Sequence, residues 1–436
     1  MPQTMSTVPV KHALRPVALA IGFCLTHAAF AQDAGSSSAG PGSDSRSTTS
    51  ADASISQPNP YYIGASQSFT HDNNVFRRSA NSTLPIAADT VSSTGILGGV
   101  DQPFGRQRFY ANGTAATNRH RNQEQLNNTS YGLTTGLDWS ALERLSGSLR
   151  LSANQSLANY GDANAVVTTE KNLQKSRQAS AAVRYGVATA LGIEGGVDHN
   201  SIDYSLSNDL RTVRQNGANI GVRWGGGGAL SILVSGRASQ AKYPTVQTSP
   251  TTIDSDTVDR RDIDTTVTYV PTGISTFTAS VRATRETHSL IGRQNFNGLT
   301  GGVTWDYHLS GKVALKAAVS RDTGTATTFL QLPVSVVPGV PIGSLETFRV
   351  DAARLSTTAS LEAGYSVTSK IGLSANLRHV SASTSGFSSD ALSAYGIGVS
   401  YQPTRTVSLG CNFNRETRKS VYSDNTYGCH GALTFR

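Results

Sequence analysis

Hydrophobic and polar residues alternate with a period of two along most of the chain. In LTGGVTWDYHL, residues 299–309, one face is apolar or aromatic and the other is polar. The same split recurs in IGLSANLRH from Ile371, YGIGVSYQ from Tyr395, YGLTTGLDW from Tyr131, ALSILVSGR from Ala229 and TVSLGCNF from Thr406. Successive side chains of a β-strand point to opposite faces. Segments of about ten residues with this period are typical of strands that face lipid on one side and a polar interior on the other.

Two kinds of connection alternate between these segments. Tight connections include PTGIS from Pro271, LSGK from Leu309, VTSK from Val367 and QPTRT from Gln402, and the long ones are 160–174, 243–256, 326–349 and 383–390. Short turns on one rim and long polar loops on the other indicate an outer-membrane barrel rather than a soluble sandwich. Aromatic residues near the tight turns predict an interfacial girdle that consists of Trp139, Trp224, Tyr269, Tyr307, Tyr365 and Tyr401.

The pattern predicts an all-β fold, a single closed antiparallel transmembrane β-barrel over residues 58–436, with short periplasmic turns and long extracellular loops. Candidate strands start near residues 61, 94, 106, 129, 145, 176, 192, 212, 229, 257, 275, 295, 313, 350, 371, 391, 406 and 425. This gives about 18 strands, an even number as in closed bacterial barrels, and 16 is the alternative because the first three strands are weakly patterned. The final strand, YGCHGALTFR, resembles the C-terminal signal by which the barrel assembly machinery recognises its substrates, although Arg436 follows the aromatic Phe435.

The start of the chain predicts export. Basic residues at 11 and 15 precede the apolar run VALAIGFCL, and AFA follows at 29–31, which predicts a signal peptide over residues 1–31 that is cleaved after Ala31. Residues 32–57 are small and polar and predict a disordered leader. With 42 Gly, 15% charged residues and a mean hydropathy of −0.25, the composition fits neither a charge-rich soluble protein nor a helical membrane protein. We therefore expect the protein in the outer membrane of a Gram-negative bacterium, in contact with its lipid.

Two cysteines remain once Cys24 is removed with the signal, and both are in an oxidising compartment. If the last hairpin turns near Ser420, Cys411 and Cys429 lie opposite each other on the outer face. The spacing therefore predicts a cross-strand disulfide, and the alternative is two isolated small apolar side chains. No His or further Cys shares their face at ligand spacing, so we expect no metal site there.

The polar faces predict the lining of the lumen. The inward positions carry charges of both signs: Arg150, Arg184, Glu194, Asp198, Arg223, Arg237, Arg282, Asp306, Lys316, Glu362 and Arg378. One interpretation is a hydrated passage whose arginines favour anionic or hydroxyl-rich solutes. The other is a wall of mutually paired charges. The formal charge of +8 includes the basic residues of the signal, and no aromatic-basic stripe is present, so we expect no nucleic-acid partner.

One predicted extracellular loop is unusual. FLQLPVSVVPGVPIG, residues 329–343, is long, apolar and proline-rich. It is expected to fold inward as a constriction within the connection 326–349 or to pack over the mouth, because a disordered loop is rarely so apolar. A mobile loop is the alternative.

The sequence does not predict an enzyme or a cofactor. The histidines at 71, 120, 199, 288, 308, 379 and 430 are scattered, and Asp198 and His199 point to opposite faces of one strand. There is no Gly-x-Ser-x-Gly elbow, and no nucleophile, base and orienting residue can be assembled. Phosphate loops and dinucleotide fingerprints are also missing from the sequence.

The stretch HDNNVFRR, residues 71–78, follows the first strand YYIGASQSF. The order of signal, polar leader, first strand and this stretch resembles the EpsL-like outer-membrane β-barrels of exopolysaccharide operons, in the wider putative porin group. In that family the first strand runs into Asp-x-Asn-[Leu/Val]-Phe-Arg, which Asp72, Asn74, Val75, Phe76 and Arg77 match. The resemblance implies a role in export or surface assembly of an exopolysaccharide and carries over no catalytic residue.

Three functions follow as hypotheses. The first is a barrel that passes or guides an exopolysaccharide, the second a generic diffusion porin for small solutes, and the third a closed structural or binding barrel that anchors surface polymer. Within HDNNVFRR, Asp72 and an asparagine can cap a turn through nearby backbone amides. Alternatively, Asp72, Asn74, Phe76 and Arg77 contact a sugar ligand at the barrel mouth. The sequence leaves the oligomeric state open.

Overall fold

A computed structural model describes residues 60–82, 84–141, 144–161, 167–186, 191–225, 229–249, 252–290, 295–309, 311–323, 330–333, 345–348, 354–384, 390–419 and 421–435. The predicted signal peptide, the leader and most of the apolar segment 329–343 lie outside these residues. Of that apolar segment, residues 330–333 are described, and they pair with residues 345–348 in a two-stranded hairpin.

Twenty strands and one short 3₁₀ helix, Glu124–Leu126, make up the described chain. The strands are β1 Tyr61–Asp72, β2 Asp89–Phe104, β3 Gln107–His120, β4 Asn128–Ala141, β5 Leu145–Leu157, β6 Leu173–Gly186, β7 Leu191–Tyr204, β8 Val213–Gly225, β9 Leu230–Ser249, β10 Thr252–Thr272, β11 Ser275–His288, β12 Phe296–Leu309, β13 Val313–Thr323, β14 Leu330–Pro333, β15 Leu345–Phe348, β16 Arg354–Ser366, β17 Ile371–Thr384, β18 Asp390–Tyr401, β19 Val407–Arg418 and β20 Tyr422–Phe435. All except β14 and β15 belong to one 18-stranded sheet.

The large sheet closes on itself. Every strand pairs antiparallel with its neighbours in the chain, β13 pairs with β16 across the β14–β15 hairpin, and β1 pairs with β20. The prediction of 18 strands is confirmed, and the alternative of 16 is wrong. Closure leaves no sheet edge with unpaired backbone groups, which is the condition for spanning lipid with strands.

The connections separate into two rims. Short turns join β2 to β3, β10 to β11 and β16 to β17, whereas the longer connections follow β1, β5, β7 and β13. The predicted loop 243–256 is wrong, because β9 and β10 extend through it to Ser249 and Thr252. Tyr243 and Val246 are both buried there, on either side of a shift in the β9–β10 register, and they pack in an apolar cluster with Val258.

The outward face carries the apolar residues. Large side chains such as Ile220, Ile263 and Leu299 are each more than 65% exposed on this face. Trp224, Tyr269 and Tyr401 of the predicted girdle are exposed and lie at the short-turn ends of their strands. Because exposed apolar surface on this scale requires a non-aqueous surrounding, the outward face defines a lipid-contacting band.

A disulfide joins Cys411 and Cys429 on the outward face of the last hairpin. The two residues are direct cross-strand partners with Cα atoms 4.1 Å apart, and Phe413 lies opposite Tyr427 in the same register. The hairpin therefore has the register that the spacing of the two cysteines predicted.

The disulfide gives a first testable prediction. Protein that lacks residues 1–31, denatured without reductant, should titrate no free thiol, and reductant should release two. Cys411→Ser is the control, because it should leave one reactive thiol before reduction. Two reactive thiols in the unreduced wild-type protein would contradict the bond.

Candidate functional site

The structure places all of the predicted lumen residues on the inward face. They alternate with the lipid-facing residues in every strand on which they occur: Arg150, Arg184, Glu194, Asp198, Arg223, Arg237, Arg282, Asp306, Lys316, Glu362 and Arg378. Most of the arginines are deeply buried, with Arg184, Arg237, Arg282 and Arg378 each no more than 8% exposed.

Many of these charges pair across neighbouring strands. Glu194 on β7 accepts hydrogen bonds from Arg184 on β6 at 2.9 Å and from Arg223 on β8 at 3.0 Å. An oxygen of Asp198, also on β7, lies 2.8 Å from the guanidinium of Arg237 on β9. All three pairs match the interpretation of the lumen as a wall of paired charges. The pairs of Glu194 link β6, β7 and β8, and the pair of Asp198 reaches past β8 to β9.

The densest part of this network centres on Arg260, which the sequence analysis did not select. Its Nε donates to Asp262 at 2.9 Å, and its Nη1 donates to Glu286 at 2.8 Å and to Asp322 at 3.3 Å. The Arg260 side chain is only 4% exposed. Alternation in DRRDID would have identified it, because Arg260 has the same parity as the inward Asp262.

Another part of the lumen wall is accessible to solvent. Asp306, Lys316 and Glu362 are direct neighbours across β12, β13 and β16. Solvent reaches their side chains: Lys316 and Asp306 are about 30% exposed, and Glu362 is exposed. Lys316 Nζ lies 3.9 Å from the Asp306 carboxylate, a loose pair compared with those around Arg260. One part of the lumen wall therefore consists of tightly paired charges, and another part is accessible to solvent. We call Asp306, Lys316 and Glu362 the charged row.

The stretch HDNNVFRR forms a folded turn at the end of β1. Asp72 Oδ1 accepts the backbone N–H of Asn74 at 2.8 Å, which confirms the predicted cap. The Asn74 side chain accepts the backbone N–H of Arg78 and donates to the Ser423 carbonyl, and Asn74 is 1% exposed. Asp72 and Asn74 thus fix the path of this loop and tie it to β20.

Phe76 is buried, 5% exposed, in a small apolar cluster at the mouth. It packs with Val75 and Leu126, and its ring meets Tyr160 edge-on with centroids 5.3 Å apart. The Arg78 guanidinium stacks over the Phe76 ring at 5.4 Å. In this structure the ring has only intramolecular neighbours among the described residues, so a sugar could stack on it only after the loop opens. Ligand contact by Phe76 stays a prediction.

Arg77 joins the same loop to the barrel wall. Its Nη1 lies 2.7 Å from Asp72, its Nη2 lies 3.1 Å from Asp424 and its Nε lies 3.9 Å from Glu416. Its backbone has φ of 52°, in the left-handed region that non-glycine residues seldom adopt. The carboxylates come from β1, β19 and β20, so one guanidinium holds three strands and the loop. Arg77 is therefore engaged by protein groups rather than free for a sugar.

The loop after β5 reaches the opposite part of the mouth. Arg418, at the end of β19, donates to the Gly161 carbonyl at 2.9 Å, although β19 and β5 are separated by several intervening strands. Gly161 packs so closely that an added Cβ would lie 2.6 Å from the Tyr422 hydroxyl and 2.8 Å from Arg77 Cγ. A contact that bypasses the intervening loops has to cross the mouth of the barrel.

The loop after β7 continues this crossing. Arg211 is 2% exposed; it pairs with Asp209 at 2.6 Å and donates to the Asn159 carbonyl at 3.3 Å. Asn172 also donates to Asp209 at 2.6 Å. We call the described residues 73–82, 84–88, 121–127, 158–161, 167–172 and 205–212 the mouth bridge. They form a connected structure from the β19–β20 wall to the β7–β8 wall.

Tyr160 contributes a hydrogen bond within the mouth bridge. Its hydroxyl donates to the Glu170 carbonyl at 2.7 Å. Burial raises the pKa of Tyr160 to about 12, so the phenol keeps its proton and this bond even at an alkaline pH where an exposed tyrosine ionises.

Two histidines fasten loops at the same rim. His120 Nδ1 lies 2.9 Å from Asp89, and His288 Nδ1 lies 2.7 Å from Asp256. Each aspartate also accepts backbone N–H groups of the adjoining loop, from Asn122 and from Leu290. These pairs therefore act as loop anchors. Within the described ranges no cluster of His, Cys, Asp and Glu could hold a metal ion.

Together, the closed wall, the outward apolar band and the inward charged face define an outer-membrane-type β-barrel with a bridged mouth. In the described part of the chain, no helix is long and apolar enough to cross a membrane.

Comparison with known proteins gives structural similarities only. No protein-family model and no curated protein matches the chain. The outer membrane protein OpdK of Pseudomonas aeruginosa is 11% identical over 86% of this chain and 98% of its own, with a TM-score of 0.45. OccAB4 of Acinetobacter baumannii is 10% identical over 87% and 99% of the two chains, with a TM-score of 0.45. The ferric enterobactin receptor PfeA of Pseudomonas aeruginosa is 10% identical over 86% and 80%, with a TM-score of 0.42.

Proposed function

We propose that the protein passes hydrophilic solutes passively across the outer membrane. The observation that carries this proposal is the solvent-accessible charged row of Asp306, Lys316 and Glu362 on the inner face of a closed barrel. Polar side chains that line such a passage exchange hydrogen bonds with water and solute, so neither has to shed its hydration against an apolar surface. A diffusion porin is the general class that these features support.

We expect the paired charges to make the lumen wall rigid and to contribute little to the selection between cations and anions. Around Glu194, Asp198 and Arg260 the charges neutralise one another at close range. Selectivity would then depend on the loosely paired row, where Lys316 stands between two carboxylates. An excess of acidic groups in that row favours cations, and Lys316 moderates this preference.

Export of an exopolysaccharide is a more specific candidate function. It rests on the resemblance of Asp72, Asn74, Val75, Phe76 and Arg77 to the exopolysaccharide-operon barrels. Four of these residues belong to the mouth bridge and Asp72 holds them at the end of β1, so a polymer strand would pass beside the bridge or displace it. The assembly machinery and the lipid of the outer membrane are the partners that this proposal requires.

A closed barrel that anchors surface polymer is the other candidate. The mouth bridge favours it, because Arg418 and Gly161 connect distant parts of the rim. In such a barrel the folded extracellular loops would form the binding surface, and the paired charged side chains would fill the interior. It would conduct few ions, which separates it from the passage by experiment.

Ion selectivity in planar lipid bilayers tests the passage. Wild-type protein should give stable single-channel currents, and Lys316→Glu should shift the reversal potential in a salt gradient towards cation selectivity, because the row becomes wholly acidic. Lys312→Glu is the matched control: it makes the same charge change at an exposed short turn and should have a smaller effect.

The same measurement separates the candidates. A barrel that inserts without currents would reject the passage and support the closed barrel. Equal shifts in the two lysine variants would mean that ions do not pass the charged row. Deletion of the gene tests exopolysaccharide export: loss of secreted polymer supports this function, and unchanged secretion rejects it.

A further inference from the structure

The outward face carries a second charged feature that the passage does not use. At the loop-side border of the apolar band, nine basic residues face away from the lumen: Arg119, Lys175, Arg177, Arg214, Lys242, Arg261, Arg285, Arg321 and Arg415. All nine are exposed. Two outward carboxylates, Asp203 and Asp259, lie among them. We call the nine basic residues the basic belt.

The height of the basic belt matches the edge of a bilayer. Each member lies 8 to 12 residues from the short-turn end of its strand. At about 3.3 Å per residue and a tilt of about 40°, this corresponds to roughly 20–30 Å above the short-turn rim. The apolar band of such barrels is about 25 Å tall. The belt therefore lies where the headgroups of the outer leaflet begin.

Two pairs within the belt place like charges in directly opposite positions, and in one of them Arg214 also lies 3.6 Å from the Asp203 carboxylate. Arg261 on β10 is the direct cross-strand partner of Arg285 on β11, and Arg214 on β8 is the direct partner of Lys242 on β9. Like charges in directly opposite positions repel each other. Within the described residues, neither Arg261 nor Arg285 forms an ion pair with a carboxylate.

The surroundings of the arginine pair leave room for a ligand. In the same register row, Ala238 precedes Arg261 and Asn297 follows Arg285. Alanine is too short to cover a guanidinium, and the asparagine amide adds a hydrogen-bond donor. Adjacent guanidinium groups bind phosphate through paired charge-assisted hydrogen bonds, a geometry that lysine does not reproduce.

We propose that the basic belt binds the phosphate groups of the glycolipid in the outer leaflet, with Arg261 and Arg285 as its principal site. A phosphate between the two guanidinium groups relieves their repulsion and anchors the barrel at a fixed depth. The lipid headgroup is the source that the position favours, because the site faces the bilayer border and not the lumen. The inference depends on the membrane setting and is independent of what the lumen passes.

Binding of defined lipids to the purified full chain tests the proposal. Native mass spectrometry in detergent, with bis-phosphorylated lipid A and fully dephosphorylated lipid A as probes, should show tighter binding of the phosphorylated form. Arg261→Gln with Arg285→Gln should weaken that binding by roughly 10- to 30-fold, as expected for two arginines near a charged lipid surface. The control is Arg106→Gln with Arg405→Gln, which removes two exposed arginine charges at the short-turn rim and should bind as the wild type does.

Each outcome decides between alternatives. Equal binding of the two lipids, or unchanged binding by the belt variant, overturns the proposal. Full competition by inorganic phosphate at millimolar concentration would identify a free-anion site and overturn the lipid assignment. Heat-modifiable migration on gels checks that the variants are folded, and bilayer currents are measured in parallel. Loss of lipid binding with unchanged currents supports the belt, whereas absent wild-type currents reject only the proposed passage.

Discussion

Replacing Arg260 by methionine should lower the free energy of unfolding of the barrel by about 3–5 kcal/mol, the usual cost of removing one partner from a buried ion pair. The carboxylates of Asp262, Glu286 and Asp322 would stay in the wall without the guanidinium that lies within 3.3 Å of each. Arg282 remains 3.7 Å from Asp322 but cannot reach all three groups from its position. Urea unfolding of protein reconstituted in vesicles, followed by tryptophan fluorescence, measures the loss.

Arg261 provides a matched control for this experiment. It is the next residue on the same strand, but it is exposed on the outward face. In vesicles without phosphorylated glycolipid, Arg261→Met should lower the free energy of unfolding by no more than about 0.5 kcal/mol. Adding Glu286→Gln to Arg260→Met should restore part of the stability, because one uncompensated charge is removed. If the 260 and 261 variants unfold alike, the Arg260 cluster does not stabilise the wall.

Replacing Arg77 by alanine should open the mouth and increase the single-channel conductance. The substitution removes the group that holds Asp72, Asp424 and Glu416, at a cost to the bridged state on the order of 3 kcal/mol. A change of that size shifts the ratio of bridged to open molecules by about a hundredfold. Current recordings in planar bilayers should show larger and noisier steps than those of the wild type.

A second substitution tests the bridge by a different physical route. Gly161→Ala places a methyl group against the Tyr422 hydroxyl and Arg77 Cγ, where there is no space for it. It should increase conductance in the same direction without removing a charge. Arg121→Ala is the control: it removes an exposed charge from another part of the mouth bridge, leaves the contacts of Arg77 and Gly161 intact and should leave the currents unchanged. Unchanged conductance in both test variants would mean that the mouth bridge does not limit the passage.

Period-two alternation in the sequence was sufficient to predict the barrel. It gave 18 strands and placed residues such as Leu299 and Asp306 on opposite faces, because the direction of a strand side chain depends only on its position along the strand. The two cysteines predicted the register of the last hairpin on the condition that it turns near Ser420, and the structure shows this register with the disulfide formed. These properties are local, so they can be derived from neighbouring residues alone.

Contacts between distant segments required the tertiary structure. Arg260 meets Asp322 although 62 residues separate them, and Arg418 meets Gly161 across 257 residues. HDNNVFRR supports both a turn and a sugar site in the sequence, and the burial of Phe76 against Tyr160 shows that it builds the mouth bridge. Alternation determined which way each side chain points. Only the closed barrel decided which side chains meet, because the partners of an inward charge depend on the register between strands and on loops that fold across the mouth.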